Sequence, residues 1–162
     1  MRRTVGIAAG IAVAATIAFV ATSCGSDSTA PRPRRYVANL SPANEVPAKT
    51  TTGTGVVTFV DNGTTIDWTM TLTNMLNVTM SHIHLPAPAG VNASVAIFLF
   101  TPITPTGTLN GMVSAGSITN SSNVGVSLDS LRVLFNNGNA YVNVHTAANP
   151  GGEIRDQVHP VP

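Results

Sequence analysis

The sequence predicts an all-β fold, an antiparallel β-sandwich or Greek-key barrel of about eight short strands with one short helix. Three observations lead to this prediction. Runs rich in Val, Thr, Ile and Phe recur between clusters of Gly, Asn and Pro, which is typical of antiparallel strands. One of these runs alternates strictly between apolar and polar residues, and only one stretch of the chain has helical spacing.

The first 23 residues have the pattern of a signal peptide. Residues 1–4 carry two arginines, and residues 5–20 are apolar or small and contain no charge. This run is shorter than the roughly 20 residues that a membrane-spanning helix needs, and small residues follow it rather than a basic flank. We therefore expect residues 1–23 to be a signal peptide that is removed on export.

Cys24 is the protein's only cysteine and follows this run directly, after Ala21, Thr22 and Ser23. The arrangement resembles a bacterial lipobox, which implies cleavage before Cys24 and attachment of a diacylglycerol to its sulfur. The alternative is an ordinary secretory signal followed by an unrelated cysteine. A lone thiol cannot pair within an exported chain, so lipidation would give it a purpose. Two acyl chains would then hold the protein firmly at a membrane.

Residues 24–35 are predicted to be the lipidated cysteine and a flexible linker, because residues 25–35 contain no apolar residue larger than Ala. The folded domain is expected to span residues 36–160. Removing Arg2 and Arg3 from the eight basic residues leaves six against seven acidic ones. With so few charges there is no basic face, and we expect no nucleic-acid partner.

One strand and one hairpin stand out in the pattern. In residues 64–73, four large apolar side chains alternate with Thr and Asp, which predicts a strand with one buried face and one face exposed to solvent. Asn62-Gly63 is a strong hairpin signal between this strand and residues 56–60. The full set of predicted strands is 36–40, 56–60, 64–73, 79–84, 95–100, 111–118, 140–146 and 153–158.

The helix is predicted between residues 124 and 138. Its apolar residues recur at spacings of three and four, Ser127 is placed to cap the start, and Gly138 stands where a C′ glycine belongs. The apolar residues are Leu128, Leu131, Leu134 and Phe135.

Histidines on two predicted strands are candidates for a metal site. His82 and His84 are two apart and share one strand face, with Ile83 on the other, and two such imidazoles can bind one ion. The alternative is a pair of histidines hydrogen-bonded to backbone at a sheet edge. His145 joins them only if folding brings the strands together; three histidines would suit zinc or copper with an open fourth position. His159, in the terminal tail, is the least suited as a fourth ligand.

The segment 149–155 combines a tight turn with two charged residues. Pro150, Gly151 and Gly152 form the turn, and Glu153 and Arg155 follow on one strand face, where they can interact with each other or with neighbouring strands. A structural turn is favoured over a binding role. No nucleophile and base, phosphate loop or carboxylate pair is discernible in the sequence. We therefore assign no catalytic residue and expect the protein not to be an enzyme.

Four ordered segments resemble the signature segments of the chordin-type CHRD domain, and the resemblance covers about residues 36–158. It implies an extracytoplasmic domain, because CHRD domains occur in chordin, an extracellular binder of bone morphogenetic proteins, and in many bacterial exported proteins. The ligand does not carry over, since a shared fold does not carry a shared function. The segments are residues 44–47, with Asn44, Glu45 and Pro47; residues 82–84, followed by 88–90; residues 141–146, with Asn143 and Thr146; and residues 150–155.

We therefore expect an exported lipoprotein whose CHRD-like domain is a non-enzymatic binding or structural module of the cell envelope. Its expected partners are the membrane, through the lipid at Cys24, and an envelope protein or other ligand. Gly25 follows the cysteine, which favours the outer membrane or cell surface, with the domain on the periplasmic or extracellular face. The alternative is a copper- or zinc-binding envelope protein, because His-x-His on a Greek-key strand is similar to the copper site of superoxide dismutases.

Overall fold

The structure is a computed structural model that describes residues 33–104, 106–121 and 125–162. The predicted signal peptide, Cys24 and the first part of the predicted linker lie outside the described residues. None of the helices in the described ranges combines the length and the apolarity that a membrane crossing requires.

Within these ranges, nine strands form two antiparallel sheets, with strand orders β6-β3-β2-β1-β9 and β5-β4-β7-β8. Apolar side chains from both sheets form one buried cluster, so the architecture is the predicted β-sandwich. The elements are β1 (Arg34–Leu40), a 3-10 helix (Pro42–Asn44), β2 (Thr54–Asp61), β3 (Ile66–Leu76), β4 (Val78–His84), β5 (Val95–Phe100), β6 (Thr108–Ile118), α1 (Leu128–Asn136), β7 (Tyr141–Thr146), β8 (Ile154–Gln157) and β9 (His159–Val161).

The predicted hairpin is confirmed as the β2–β3 pair, in which Phe59 is the register partner of Trp68. The even-numbered apolar residues of β3 from 66 to 72 are buried, as the alternation predicts. Gly63 has a φ of 90°, and its N–H donates to Oδ1 of Asp61 at 2.9 Å. Asn62 does not adopt a positive φ, because the connection is a four-residue loop rather than a two-residue turn.

The predicted helix is confirmed as α1. Oγ of Ser127 accepts a hydrogen bond from the N–H of Ser130 at 3.1 Å, which satisfies a backbone donor at the helix start. Phe135 is fully buried, and its ring lies 5.2 Å from that of Tyr36 and 5.0 Å from that of Phe59. The apolar face of α1 therefore completes the core beside the five-stranded sheet.

The ends of the sheet differ from the sequence expectation. Strand β1 begins at Arg34, so Arg34 and Arg35, which the sequence placed in the linker, pair with the end of β2. Strand β9 was not predicted, because its three residues are all exposed and carry no apolar pattern. It exists through pairing with β1, a contact between the two ends of the described chain.

Candidate metal centre

Strands β4 and β7 place six side chains in two facing rows on the side of their sheet that points away from the core. Ile83, Val142 and Val144 point into the core, so their neighbours in each strand point outward. Residues that are register partners in an antiparallel pair lie on the same face. The three outward pairs, which we call the outer-face array, are Met80 with His145, His82 with Asn143, and His84 with Tyr141.

The three predicted histidines meet in this array. One ring nitrogen from each lies within 4.8 Å of the others, and the three residues are only 2 to 8% exposed. Nδ1 of His82 lies 3.2 Å from Nε2 of His145. Two nitrogens bound to one tetrahedral ion at 2.0–2.1 Å lie roughly 3.3 Å apart. The spacing of this pair therefore suits a shared metal ion.

Backbone carbonyls from two connecting segments orient the rings. Nδ1 of His84 lies 2.9 Å from the carbonyl oxygen of Ala93, and Nδ1 of His145 lies 2.8 Å from that of Pro150. Since a carbonyl can only accept, both Nδ1 atoms carry the proton in the neutral rings. Both Nε2 atoms then keep a lone pair. Such contacts from outside the ligand set are typical of metal-binding histidines, whose tautomer and orientation they determine.

The lone pair on Nε2 of His84 faces another acceptor. Nε2 of His84 lies 3.0 Å from Oδ1 of Asn143, which also can only accept. Nε2 of His82 is buried and has no hydrogen-bond partner among the described residues. Buried polar atoms are nearly always hydrogen-bonded, and an exception asks for an explanation. A cation held by one nitrogen of each ring would use the lone pair of His84 that faces Asn143.

Burial lowers the pKa of all three rings. For His82 the pKa falls to about 4, because burial and then the neighbouring His145 and His84 disfavour the charged ring. For His84, burial outweighs the contacts with Ala93 and Asn143. For His145, burial outweighs the hydrogen bond to Pro150. The three rings are therefore neutral at pH 7, which is the form that binds metals.

Tyr141 and Arg155 form a stack beside His84. The rings of His84 and Tyr141 are nearly parallel, at 2°, with centroids 4.6 Å apart. The guanidinium carbon of Arg155 lies 3.4 Å from the centre of the Tyr141 ring. Arg155 is 1% exposed and donates to Oδ1 of Asn92 at 2.9 Å and to the carbonyl of Val91 at 2.7 Å. It thus ties the segment after β4 to the sheet and holds the His84 ring in place.

Glu45 and Gly152 come close to the same array from two other segments. Glu45 is buried, and burial raises its pKa, although the N–H of Val46 and the charge of Arg155 act in the opposite direction. Gly152 has a φ of 125°, and a Cβ there would overlap Oε1 of Glu45 and lie 2.9 Å from Nδ2 of Asn143. Only glycine allows this close approach.

The remaining motif residues have structural contacts. Nδ2 of Asn44 donates to Oδ1 of Asp156 at 3.0 Å, and Pro47 follows a cis peptide bond and is exposed. The hydroxyl of Thr146 donates to Oε2 of Glu153 at 2.5 Å.

The charged residues that follow the turn differ in their contacts. Glu153 precedes β8 and also accepts from Nδ2 of Asn149, whereas the guanidinium of Arg155 donates to the segment that contains Val91 and Asn92. Gly151 is exposed within the turn. These contacts support the structural interpretation of the turn.

Two other expectations concern residues away from the array. His159 lies in β9 of the five-stranded sheet, is exposed, and is not a member of the three-histidine group. Cys24 lies outside the described residues.

Sequence reasoning also did not single out Met80 and Phe98. Met80 precedes His82 by two residues, so strand alternation alone would have placed it on the histidine face.

Residues 36–158 match the CHRD domain, and the chain belongs to this family. No curated protein matches the chain, and no solved structure does. The segments that carry the resemblance lie far apart in sequence, and residues from each of them, Glu45, His82 with His84, Asn143 and Gly152, come together at the outer face of the four-stranded sheet.

Proposed function

We propose that this CHRD domain is a non-enzymatic module that binds one copper or zinc ion through His82, His84 and His145. One observation carries the proposal: three buried imidazoles bring one nitrogen each to within 4.8 Å of the others, and backbone carbonyls of other segments hold two of the rings, His84 and His145, with Nε2 unprotonated. Imidazole is a ligand that suits both metals.

The hydrogen-bonded pair that the sequence offered as an alternative explains less. Backbone carbonyls do accept from His84 and His145, but they use only one nitrogen of each ring. The contact between Nε2 of His84 and Oδ1 of Asn143 has no proton to share in the neutral ring, and Nε2 of His82 has no partner among the described residues. An ion held by one nitrogen of each ring uses the lone pair of His84, which the structural hydrogen bonds leave facing another acceptor.

Metal analysis of the purified protein tests the proposal. The chain is stripped with a chelator, loaded with Zn(II) or with copper, separated from free ion and analysed for metal content. We expect about one ion per chain. His82→Ala and His145→Ala should each lower the affinity by about 100-fold or more, since the loss of even an outer contact lowers metal affinity by about 10- to 100-fold.

His159→Ala is the matched control, because His159 is exposed and lies outside the group. It should bind metal like the unmodified chain. Less than a tenth of an ion per chain in the unmodified protein, or equal binding by all variants, would refute the metal site. A turnover reaction that His82→Ala abolishes would refute the non-enzymatic part of the proposal.

We infer from the sequence that the domain is exported and displayed from a lipid anchor at Cys24, on the outer membrane or cell surface. The motivation is the apolar leader followed directly by the chain's only cysteine. Membrane fractionation of cells that express the chain or its Cys24→Ser variant tests this. We expect the protein in the membrane fraction and the variant in the soluble exported fraction; an unchanged distribution would contradict the anchor.

A further inference from the structure

Met80 stands at the solvent end of the outer-face array, next to the histidines. It is the register partner of His145 and lies two residues before His82 in the same strand. The side chains of register partners begin from Cβ atoms about 4.5–5.5 Å apart on one face, and a methionine side chain has three rotatable bonds with which to adjust. The thioether of Met80 is therefore within reach of an ion held by His145 and His82.

The exposure of Met80 sets it apart from the three ligands. Its side chain is 38% exposed, whereas the histidines are nearly buried. Phe98 is the register partner of His82 on the other side, and its ring lies 4.6 Å from that of His82 in an edge-to-face arrangement. Phe98 carries no donor atom, so Met80 is the residue at the exposed side of the group that can close the coordination shell.

The charges around the group favour a singly charged ion. The three rings are neutral, and no carboxylate among the described residues joins the group. The buried cation Arg155, which stacks on Tyr141, acts electrostatically on His84. The free-energy penalty for burying an unpaired ion rises steeply with the magnitude of its charge, and a neighbouring cation adds to this penalty. A monovalent ion is therefore accommodated more easily than a divalent one.

We propose that Met80 is a fourth ligand, through its thioether sulfur, and that it makes the site selective for Cu(I). The inference rests on the proposed three-histidine site and names its metal. Soft thioether donors suit Cu(I). The ligands that bind zinc in proteins are thiolate, imidazole and carboxylate groups, so zinc gains little from a thioether. Asn143 is the competing fourth donor, because Oδ1 already lies 3.0 Å from Nε2 of His84. An oxygen donor of this kind would favour a harder ion.

Competition titrations with Met80→Leu test the proposal. Cu(I) is supplied under reducing, oxygen-free conditions with a colorimetric Cu(I) chelator as competitor, and Zn(II) is titrated separately with a zinc indicator. Leucine keeps the size and apolarity of the side chain, and a half-exposed position tolerates it. We expect Met80→Leu to weaken Cu(I) binding by at least about tenfold and to change Zn(II) binding by less than about twofold.

Met112→Leu is the matched control, since Met112 is 71% exposed on β6 of the other sheet. X-ray absorption of the Cu(I)-loaded protein should show a sulfur neighbour that Met80→Leu removes and Met112→Leu retains. Unchanged Cu(I) affinity in Met80→Leu, an equal loss for both metals, or a shell of only nitrogen and oxygen would overturn the assignment of Met80 and leave the three-histidine site standing. Failure of the unmodified protein to bind either metal would overturn both.

Discussion

Arg155 carries a permanent charge in an almost fully buried position, and its replacement by alanine is a quantitative test of how the loops around the array are held. The guanidinium donates to the carbonyl of Val91 at 2.7 Å and to Oδ1 of Asn92 at 2.9 Å. It also covers the ring of Tyr141 at 3.4 Å. No carboxylate forms a salt bridge with Arg155 among the described residues, so its direct contacts are with neutral groups.

The expected loss of stability in Arg155→Ala follows from these contacts. Hydrogen bonds from a charged donor contribute about 1.5–3 kcal/mol each, and the lower end applies here because Val91 and Asn92 are exposed and water can replace the donor. A desolvated cation–π contact contributes about 2 kcal/mol. Alanine also relieves the penalty for burying the charge. We expect the free energy of unfolding of Arg155→Ala to fall by about 2–4 kcal/mol.

Equilibrium unfolding in urea, followed by tryptophan fluorescence, measures this loss, with Arg35→Ala as the control. Arg35 is exposed on β1, so its replacement should change the free energy of unfolding by no more than about 0.5 kcal/mol. Hydrogen exchange adds a local measurement: amides in residues 91–93 should exchange faster in Arg155→Ala, while those of the β2–β3 hairpin keep their protection. A loss below about 1 kcal/mol, with unchanged exchange, would refute the reasoning.

Phe135→Ala removes a fully buried ring that packs against two others, and should lower the free energy of unfolding by about 3–5 kcal/mol in urea. The hydrogen bond from Arg132 holds the pKa of Asp61 below its usual range. The ionised Asp61 therefore stabilises the folded state fully above the unfolded-state pKa of about 3.9. This contribution to the free energy of unfolding is lost as the pH falls through the lower folded-state pKa. Asp61→Asn should therefore flatten the fall in stability between about pH 5 and pH 2, by about 1 kcal/mol; an unchanged slope would contradict it. Gly152→Ala should lower the free energy of unfolding by at least about 2 kcal/mol and weaken metal binding, because its φ of 125° and its neighbours leave no room for a Cβ; Gly151→Ala, with open space around it, should do neither.

Much of the fold was predictable because its patterns are local. The alternation around Trp68 and the capping and spacing of α1 each lie within about ten residues, and both are confirmed. Strand β9 and the start of β1 were not predictable in this way. Their residues are exposed and show no periodicity, and only the pairing between the two strands, which lie far apart in sequence, makes them strands.

The candidate site shows the same division. That His82 and His84 share a face, and that His145 shares one with Asn143, follows from the two-residue period of a strand. That these faces adjoin depends on the pairing of β4 with β7, whose residues are separated by about 60 positions in the sequence. The carbonyls of Ala93 and Pro150 could not be anticipated, since every residue has one and only the folded loops decide which of them reaches a ring.

The class of fold, the hairpin, the helix and the identity of the candidate histidines follow from the sequence, because periodicity, turn residues and side-chain chemistry act over short distances along the chain. The tertiary structure alone decided that the histidines meet, that burial keeps them neutral, and that Met80 and the stacked Arg155 and Tyr141 stand beside them. The physical reason is that strand register and loop closure depend on contacts between distant segments, and burial and pKa depend on everything that packs around a group.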